Sequence, residues 1–148
     1  MPHTYTNLIY HIIFATKERS PFITSELKPR LYDYLGGTVR GLEGVLLEIG
    51  GTNDHIHLLI KLKPTVKFAD FMRELKANSS AWANRTTNRR FEWQNGYGAF
   101  TVGETQIENV SRYIKNQEKH HSKMNFEDEF KDLLSRSGID FDERFLWR

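Results

Sequence analysis

The chain contains no cysteine, which removes disulfides and thiolate metal sites together. Any bound metal must be held by nitrogen and oxygen, which favours harder divalent ions over structural zinc. No stretch approaches the roughly 18 uninterrupted apolar residues of a membrane span. The N-terminal MPHTYTNLIYHIIF lacks the basic head and small-residue cleavage site of a signal peptide. A cytoplasmic protein without membrane contact is therefore expected. No internal repeat, low-complexity tract or linker is present either, and 148 residues with 39% hydrophobic and 13% aromatic content suit one packed core. A single domain spanning residues 1–148 follows.

Net charge is low, at +2, but it is unevenly placed. Residues 61–90 carry eight basic against two acidic side chains, whereas 1–60 sum to −1, 91–124 to zero and 125–148 to −3. A basic segment inside a balanced chain suits contact with a polyanion, the alternative being a solvated helix face.

Residues 8–16, LIYHIIFAT, are β-branched and aromatic with apolar side chains at both parities, the pattern of a strand covered on both faces. From Thr24 the positions Leu27, Leu31, Tyr34, Leu35 and Leu42 follow helical spacing, with Thr24 or Ser25 as cap. Residues 45–51 and 55–62 are strand-like and flank a turn-prone stretch from Gly50 to Asp54, so a hairpin is predicted, closed by Pro64. Between Val66 and about Thr87, Phe68, Phe71, Met72, Leu75, Ser79 and Trp82 make one stripe, and Lys67, Arg73, Lys76 and Arg85 lie largely off it. A strand at 97–103 follows. Thr105 and Glu108 have capping-box spacing for a helix to about His121; a short helix near 126–136 precedes irregular chain to the aromatic end, within a C-terminal tail of about 125–148. The order β-α-β-β-α-β is the ferredoxin-like split βαβ arrangement: an α+β fold with an antiparallel sheet, two helices on one face, and additional C-terminal helices.

Strand alternation puts His55 and His57 on the face opposite the apolar Ile56, Leu58, Ile60 and Leu62. Two residues apart, they stand about 6.6 Å from each other along the strand, close enough to share one ion at metal–nitrogen bonds of roughly 2 Å. The alternative is a solvent-facing or hydrogen-bonded pair. On the helix, Tyr113 and Gln117 are one turn apart, beside the stripe of Ile107, Val110 and Ile114. A tyrosine hydroxyl becomes a nucleophile once its proton is removed and a divalent cation polarises the attacked phosphate; read alone, Tyr113 is a packing tyrosine and Gln117 an exposed helix former. His120 and His121 read as a helix-end pair favourable to the macrodipole, the alternative being an extension of the metal or DNA surface; His11 reads as a satisfied interior histidine, and Trp82 as core. No acidic ligand of the kind magnesium prefers is evident beside these residues.

Four ordered stretches, YHIIFATK (10–17), NDHIHLLI (53–60), FEWQNGYGAF (91–100) and YIKNQEKHH (113–121), resemble the single-tyrosine transposases of the smallest bacterial insertion sequences. These belong to the HUH nuclease superfamily, and the chain is similar also to their relatives associated with repetitive extragenic palindromes. The similarity covers roughly residues 5–145. It implies that His55, His57 and Gln117 hold a divalent ion, magnesium or manganese, and that Tyr113 is the nucleophile. The implied reaction cuts single-stranded DNA near hairpins at element ends through a 5′-phosphotyrosine link and rejoins it, with no nucleotide cofactor. The resemblance further implies a homodimer whose tyrosine helix completes the partner's site, with Gly103 as hinge. In that setting Lys67, Arg73, Lys76, Arg85, Arg89 and Arg90 are candidates for phosphate contacts. Trp93 and Tyr97 are candidates for base stacking at roughly 1–3 kcal/mol each. The competing readings are a non-catalytic hairpin DNA or RNA binding domain of the same fold, and a structural homo-oligomer with its histidines in water.

Overall fold

The structure, a computed structural model, describes residues 4–146; Trp147 and Arg148 of the aromatic end lie outside them. Strand β1 (Leu8–Ala15) leads through helix α1 (Leu27–Gly41) to the hairpin of β2 (Gly44–Gly51) and β3 (His55–Leu62). Helix α2 (Phe68–Thr87) then precedes β4 (Gly98–Thr101). The sheet order is β2-β3-β1-β4, all neighbours antiparallel, as the split βαβ order requires. The Thr24 hydroxyl accepts from the Leu27 N–H at 3.1 Å, the capping role expected of it.

Helices α1 and α2 bury Leu31, Leu35, Val39, Phe71, Met72 and Leu75 against Ile12, Phe14, Ile56, Leu58, Ile60 and Leu62. The opposite face of the sheet is covered as well. Helix α3 (Ile107–Lys115) seats Ile114 on Ile9 and Leu59; after a one-turn α4 (Gln117–His120), α5 (Phe126–Arg136) packs Phe126, Phe130 and Leu134 on Ile13 and Ala15. The solvent-facing alternative for the histidines fails for this reason, since both are fully buried beneath these helices.

Three sequence expectations need correction. Thr105 does not form a capping box: it lies in a 3-10 turn, Glu104–Gln106, and no side chain caps α3. The helix expected to run on to His121 breaks at Asn116, whose φ of −96° and ψ of 22° leave the helical region. The chain after residue 136 is not wholly irregular, because Glu143–Leu146 form a last turn, α6.

What seats α3 is a glycine. A β-carbon on Gly50 would lie 2.1 Å from the Ile114 carbonyl oxygen, so helix and strand meet backbone to backbone. Beside it, Glu48 accepts from the Ser111 hydroxyl at 2.9 Å and pairs with Lys115 at 3.5 Å. Gly50→Ala is expected to cost about 1–3 kcal/mol through overpacking, which at this chain length lowers the melting temperature by roughly 3–9 °C. An unchanged melting curve would mean that α3 is not held on β2.

Candidate metal centre and tyrosine helix

The face beneath α3–α5 gathers polar groups from five elements. His55 and His57 come from β3 and His11 from β1; Tyr113 comes from α3 and Gln117 from α4; His121 lies just past α4 and Glu129 on the first turn of α5. Asn125 caps α5 by accepting from the Asp128 N–H at 2.9 Å, which sets the turn that aims Glu129 inward. Glu129 is 1% exposed.

Its Oε1 lies 3.2 Å from His57 Nε2, 3.0 Å from His121 Nε2 and 3.6 Å from His55 Nε2. Its Oε2 accepts the Tyr113 hydroxyl and lies 3.4 Å from His120 Nε2, a buried nitrogen without a hydrogen bond among the described residues. Gln117 is fully buried, with Oε1 3.1 Å from His55 Nε2 and its amide nitrogen donating to the Tyr113 carbonyl at 3.2 Å. The four pairwise-close ligand atoms of His55, His57, His121 and Glu129 fall within 4.8 Å of one another. Three imidazoles and a carboxylate at this spacing fit a divalent cation.

The outer nitrogens of the two strand histidines are also engaged. His55 Nδ1 lies 2.9 Å from Asp54 Oδ1 and 2.9 Å from the Thr52 hydroxyl, while His57 Nδ1 lies 2.8 Å from His11 Nε2. Each ring therefore turns its Nε2 toward the cluster, the arrangement by which outer partners orient metal-binding imidazoles.

Burial works against charge on Glu129, yet hydrogen bonds from His121, His57 and Tyr113 together hold its carboxyl well below the usual range. Tyr113 is pushed up by burial and by Glu129, so its phenol is neutral at pH 7. Burial lowers His57 to about 4, against the opposing pull of Glu129. Burial and His57 lower His11 to about 3. Both histidines are thus buried neutral. An unfolded histidine binds its proton near pH 6.5, so between pH 6.5 and about 4 only the unfolded chain takes up these protons and stability falls as pH falls. The melting temperature in EDTA is expected to drop steeply across that window, with a shallower slope for His11→Phe; equal slopes would show that His11 is not buried neutral.

The structure brings together all four residues singled out by the sequence, Tyr113, His55, His57 and Gln117. Their rings confirm the proximity, with Tyr113 and His57 centroids 5.6 Å apart, edge to face. Sequence reasoning missed Glu129 and Asp54 as members of the cluster and treated His121 and His11 as structural. The one available signal was the short spacing of Glu129 from YIKNQEKHH.

Elsewhere the candidates divide. Lys67, Arg73, Arg85, Arg89 and Arg90 are exposed, with Arg73 paired to Asp70 at 2.8 Å and Arg90 to Glu92 at 2.6 Å. Lys76 donates to the carbonyls of Gln94 and Gly96 at 2.6 Å each, and burial lowers its ammonium to about 8. Trp93 is buried and donates its indole N–H to Ser79 at 2.8 Å, so it is a core residue and not a stacking platform. Tyr97 is 41% exposed. No helix among the described residues is long and apolar enough to cross a membrane.

The profile of the family described as "Transposase IS200 like" matches residues 4–117. That span contains His55, His57, Tyr113 and Gln117 but ends before His121 and Glu129. The transposases for insertion sequence element IS200 of Salmonella typhimurium and Salmonella typhi are each 31% identical over 125 residues, covering 79% of this chain and 81% of theirs. Among solved structures, a protein of Deinococcus radiodurans R1 described as a candidate transposase superposes with a TM-score of 0.66 at 26% identity, over 79% of this chain and 95% of that one. A REP-associated tyrosine transposase, solved bound to a REP hairpin, shares the fold with a TM-score of 0.57 at 14% identity, over 77% of this chain and 68% of that one. With more than half its length matched by the family profile, and with relatives this close, the chain belongs to the IS200-like transposase family.

Proposed function

We propose that this transposase cleaves and rejoins single-stranded DNA beside hairpins through a covalent link between Tyr113 and a 5′-phosphate. The observation that carries the reading is the convergence of the Tyr113 hydroxyl with a cluster of three imidazoles and a carboxylate, of which His55, His57 and Glu129 are buried and His121 is partly buried. His55, His57, His121 and Glu129 would hold a divalent cation, with Gln117 beside His55. The nitrogen-rich set favours manganese over magnesium. When bound, the cation supplies Lewis acidity to the phosphate oxygens.

The remaining steps belong to the chain. Glu129 Oε2, already accepting the Tyr113 hydroxyl, is placed to take the phenolic proton as the tyrosine oxygen bonds to phosphorus, although burial and Glu129 both hold that proton on Tyr113 in the resting protein. The Tyr113 oxygen forms a bond to phosphorus as the bond from phosphorus to the 3′ oxygen breaks, and that oxygen leaves as a hydroxyl by taking the proton from Glu129. In the second step a 3′-hydroxyl attacks the phosphotyrosine and Tyr113 regains its proton. One ester replaces another each time, so no nucleotide is consumed. The exposed Lys67, Arg73, Arg85, Arg89 and Arg90 would neutralise hairpin phosphates, with Tyr97 available to a base.

Tyr113 reaches the His57 and Glu129 of its own chain. The homodimer with exchanged tyrosine helices implied by the resemblance would rebuild the same contacts between protomers. Gly103, extended at φ −77° and with open space around it, would permit that exchange. Mixing Tyr113→Phe protomers with His57→Ala protomers separates the two cases: recovered cleavage requires exchange, and a mixture that stays inactive requires assembly within one chain.

The test of the function is covalent capture. Purified protein, a hairpin-bearing single strand and Mn2+ should give a protein–DNA species that survives denaturant and is absent in EDTA. Failure with a range of end sequences would leave the non-catalytic hairpin-binding reading standing.

A further inference from the structure

We infer that His11 is a positioning residue for the cation site: it decides which nitrogen of His57 carries the proton, and therefore whether His57 can ligate through Nε2. This rests on the cation reading above and goes beyond it, since His11 touches neither cation nor substrate.

The two strand histidines are not equivalent. His55 faces the Asp54 carboxylate with Nδ1. A carboxylate only accepts, so that nitrogen bears the proton, while Nε2 lies 3.1 Å from Gln117 Oε1. His57 is in the opposite condition. Its Nε2 lies 3.2 Å from Glu129 Oε1, another acceptor, so in the cation-free protein the proton sits on Nε2. A neutral ring carries one proton. His57 Nδ1 must then accept, and the only arrangement that makes a hydrogen bond of the 2.8 Å contact has His11 Nε2 donating.

Ligation reverses this order. For His57 to offer Nε2 to a cation its proton must sit on Nδ1, and His11 Nε2 must become the acceptor. The His11 Nε2 proton crosses to His57 Nδ1, the His57 Nε2 proton departs by way of Glu129 to solvent, and His11 Nδ1 takes a proton from solvent. Each ring ends with one proton and the count is unchanged. The exchange needs a partner at position 11 that can both give and accept. Histidine does so by changing tautomer, whereas phenylalanine can do neither.

The direct measurement is the proton position in each ring, read by long-range 1H–15N correlation on the full-length protein in EDTA and with saturating Mg2+. The expected result is that His11 and His57 both carry the proton on Nε2 without the ion and on Nδ1 with it, while His55 keeps Nδ1 protonated in EDTA. A His11 proton on the same nitrogen in both conditions overturns the inference. Calorimetric titration with Mn2+ supplies the second reading. His11→Phe should bind roughly 10–100-fold more weakly, the range for loss of an outer partner, whereas His11→Gln, which can donate or accept at that place, should recover most of the affinity. Wild-type affinity in a folded His11→Phe also overturns it. Should wild type and His57→Ala bind Mn2+ equally, or not at all, the cation reading itself fails and takes this inference with it.

Discussion

Replacing Tyr113 by Phe is expected to abolish the denaturant-resistant adduct and to lower strand cleavage by at least about 10³-fold, as for loss of a covalent nucleophile. Affinity for Mn2+ and for a hairpin strand should stay within a few-fold of wild type. The change is small in shape. The ring keeps its edge contacts with His57 and His120 at 5.6 and 5.2 Å, and only the hydroxyl bonded to Glu129 is lost. Glu129 then loses one of its donors, at a cost of about 1–3 kcal/mol in the cation-free protein, while the imidazoles of His57 and His121 remain. A split between abolished chemistry and retained binding is what separates a nucleophile from a packing tyrosine. An adduct that survives in Tyr113→Phe would assign the chemistry to another group.

Much of this site was legible in the sequence because it depends on local periodicity. Alternation along residues 55–62 places both histidines on one face, and helical spacing places Tyr113 and Gln117 together; neither depends on what covers them. Cover is what alternation cannot supply. The polar face of β3 reads like a face in water, yet α3 and α5 bury it by seating Ile114 and Phe130 at places where Gly50 and Gly98 leave out a side chain. The same gap hid Glu129. On the first turn of a capped helix beside Glu127 and Asp128, it looks like one of the acidic residues that the helix dipole favours there. Its contact with His57 spans 72 positions of the chain, and no local pattern registers that. Charge was misleading for a related reason. Lys76 lies off the apolar stripe of α2 but turns back to bind the carbonyls of residues 94 and 96, and Trp93 finds its partner in Ser79 on that same helix.

Glu129 is therefore the residue whose removal should reach furthest. Glu129→Ala deletes a carboxylate that faces His55, His57, His120, His121 and the Tyr113 hydroxyl together. Mn2+ affinity is expected to fall by at least about 100-fold, more than for loss of an outer partner. The cation-free protein should lose about 3 kcal/mol at pH 7 because a buried hydrogen-bonded charge network is opened. The sign with pH is fixed by the depressed carboxyl. Its contribution is present above the unfolded carboxylate range near pH 4.3 and is lost as pH falls below it, so wild type and variant should converge in acid. Glu129→Gln separates the two effects. The amide oxygen can still accept from Tyr113, so the fold should survive, but the neutral side chain gives the cation no charge. Wild-type Mn2+ affinity in Glu129→Gln would mean that His55, His57 and His121, with Gln117, hold the cation without the carboxylate and that α5 contributes only cover.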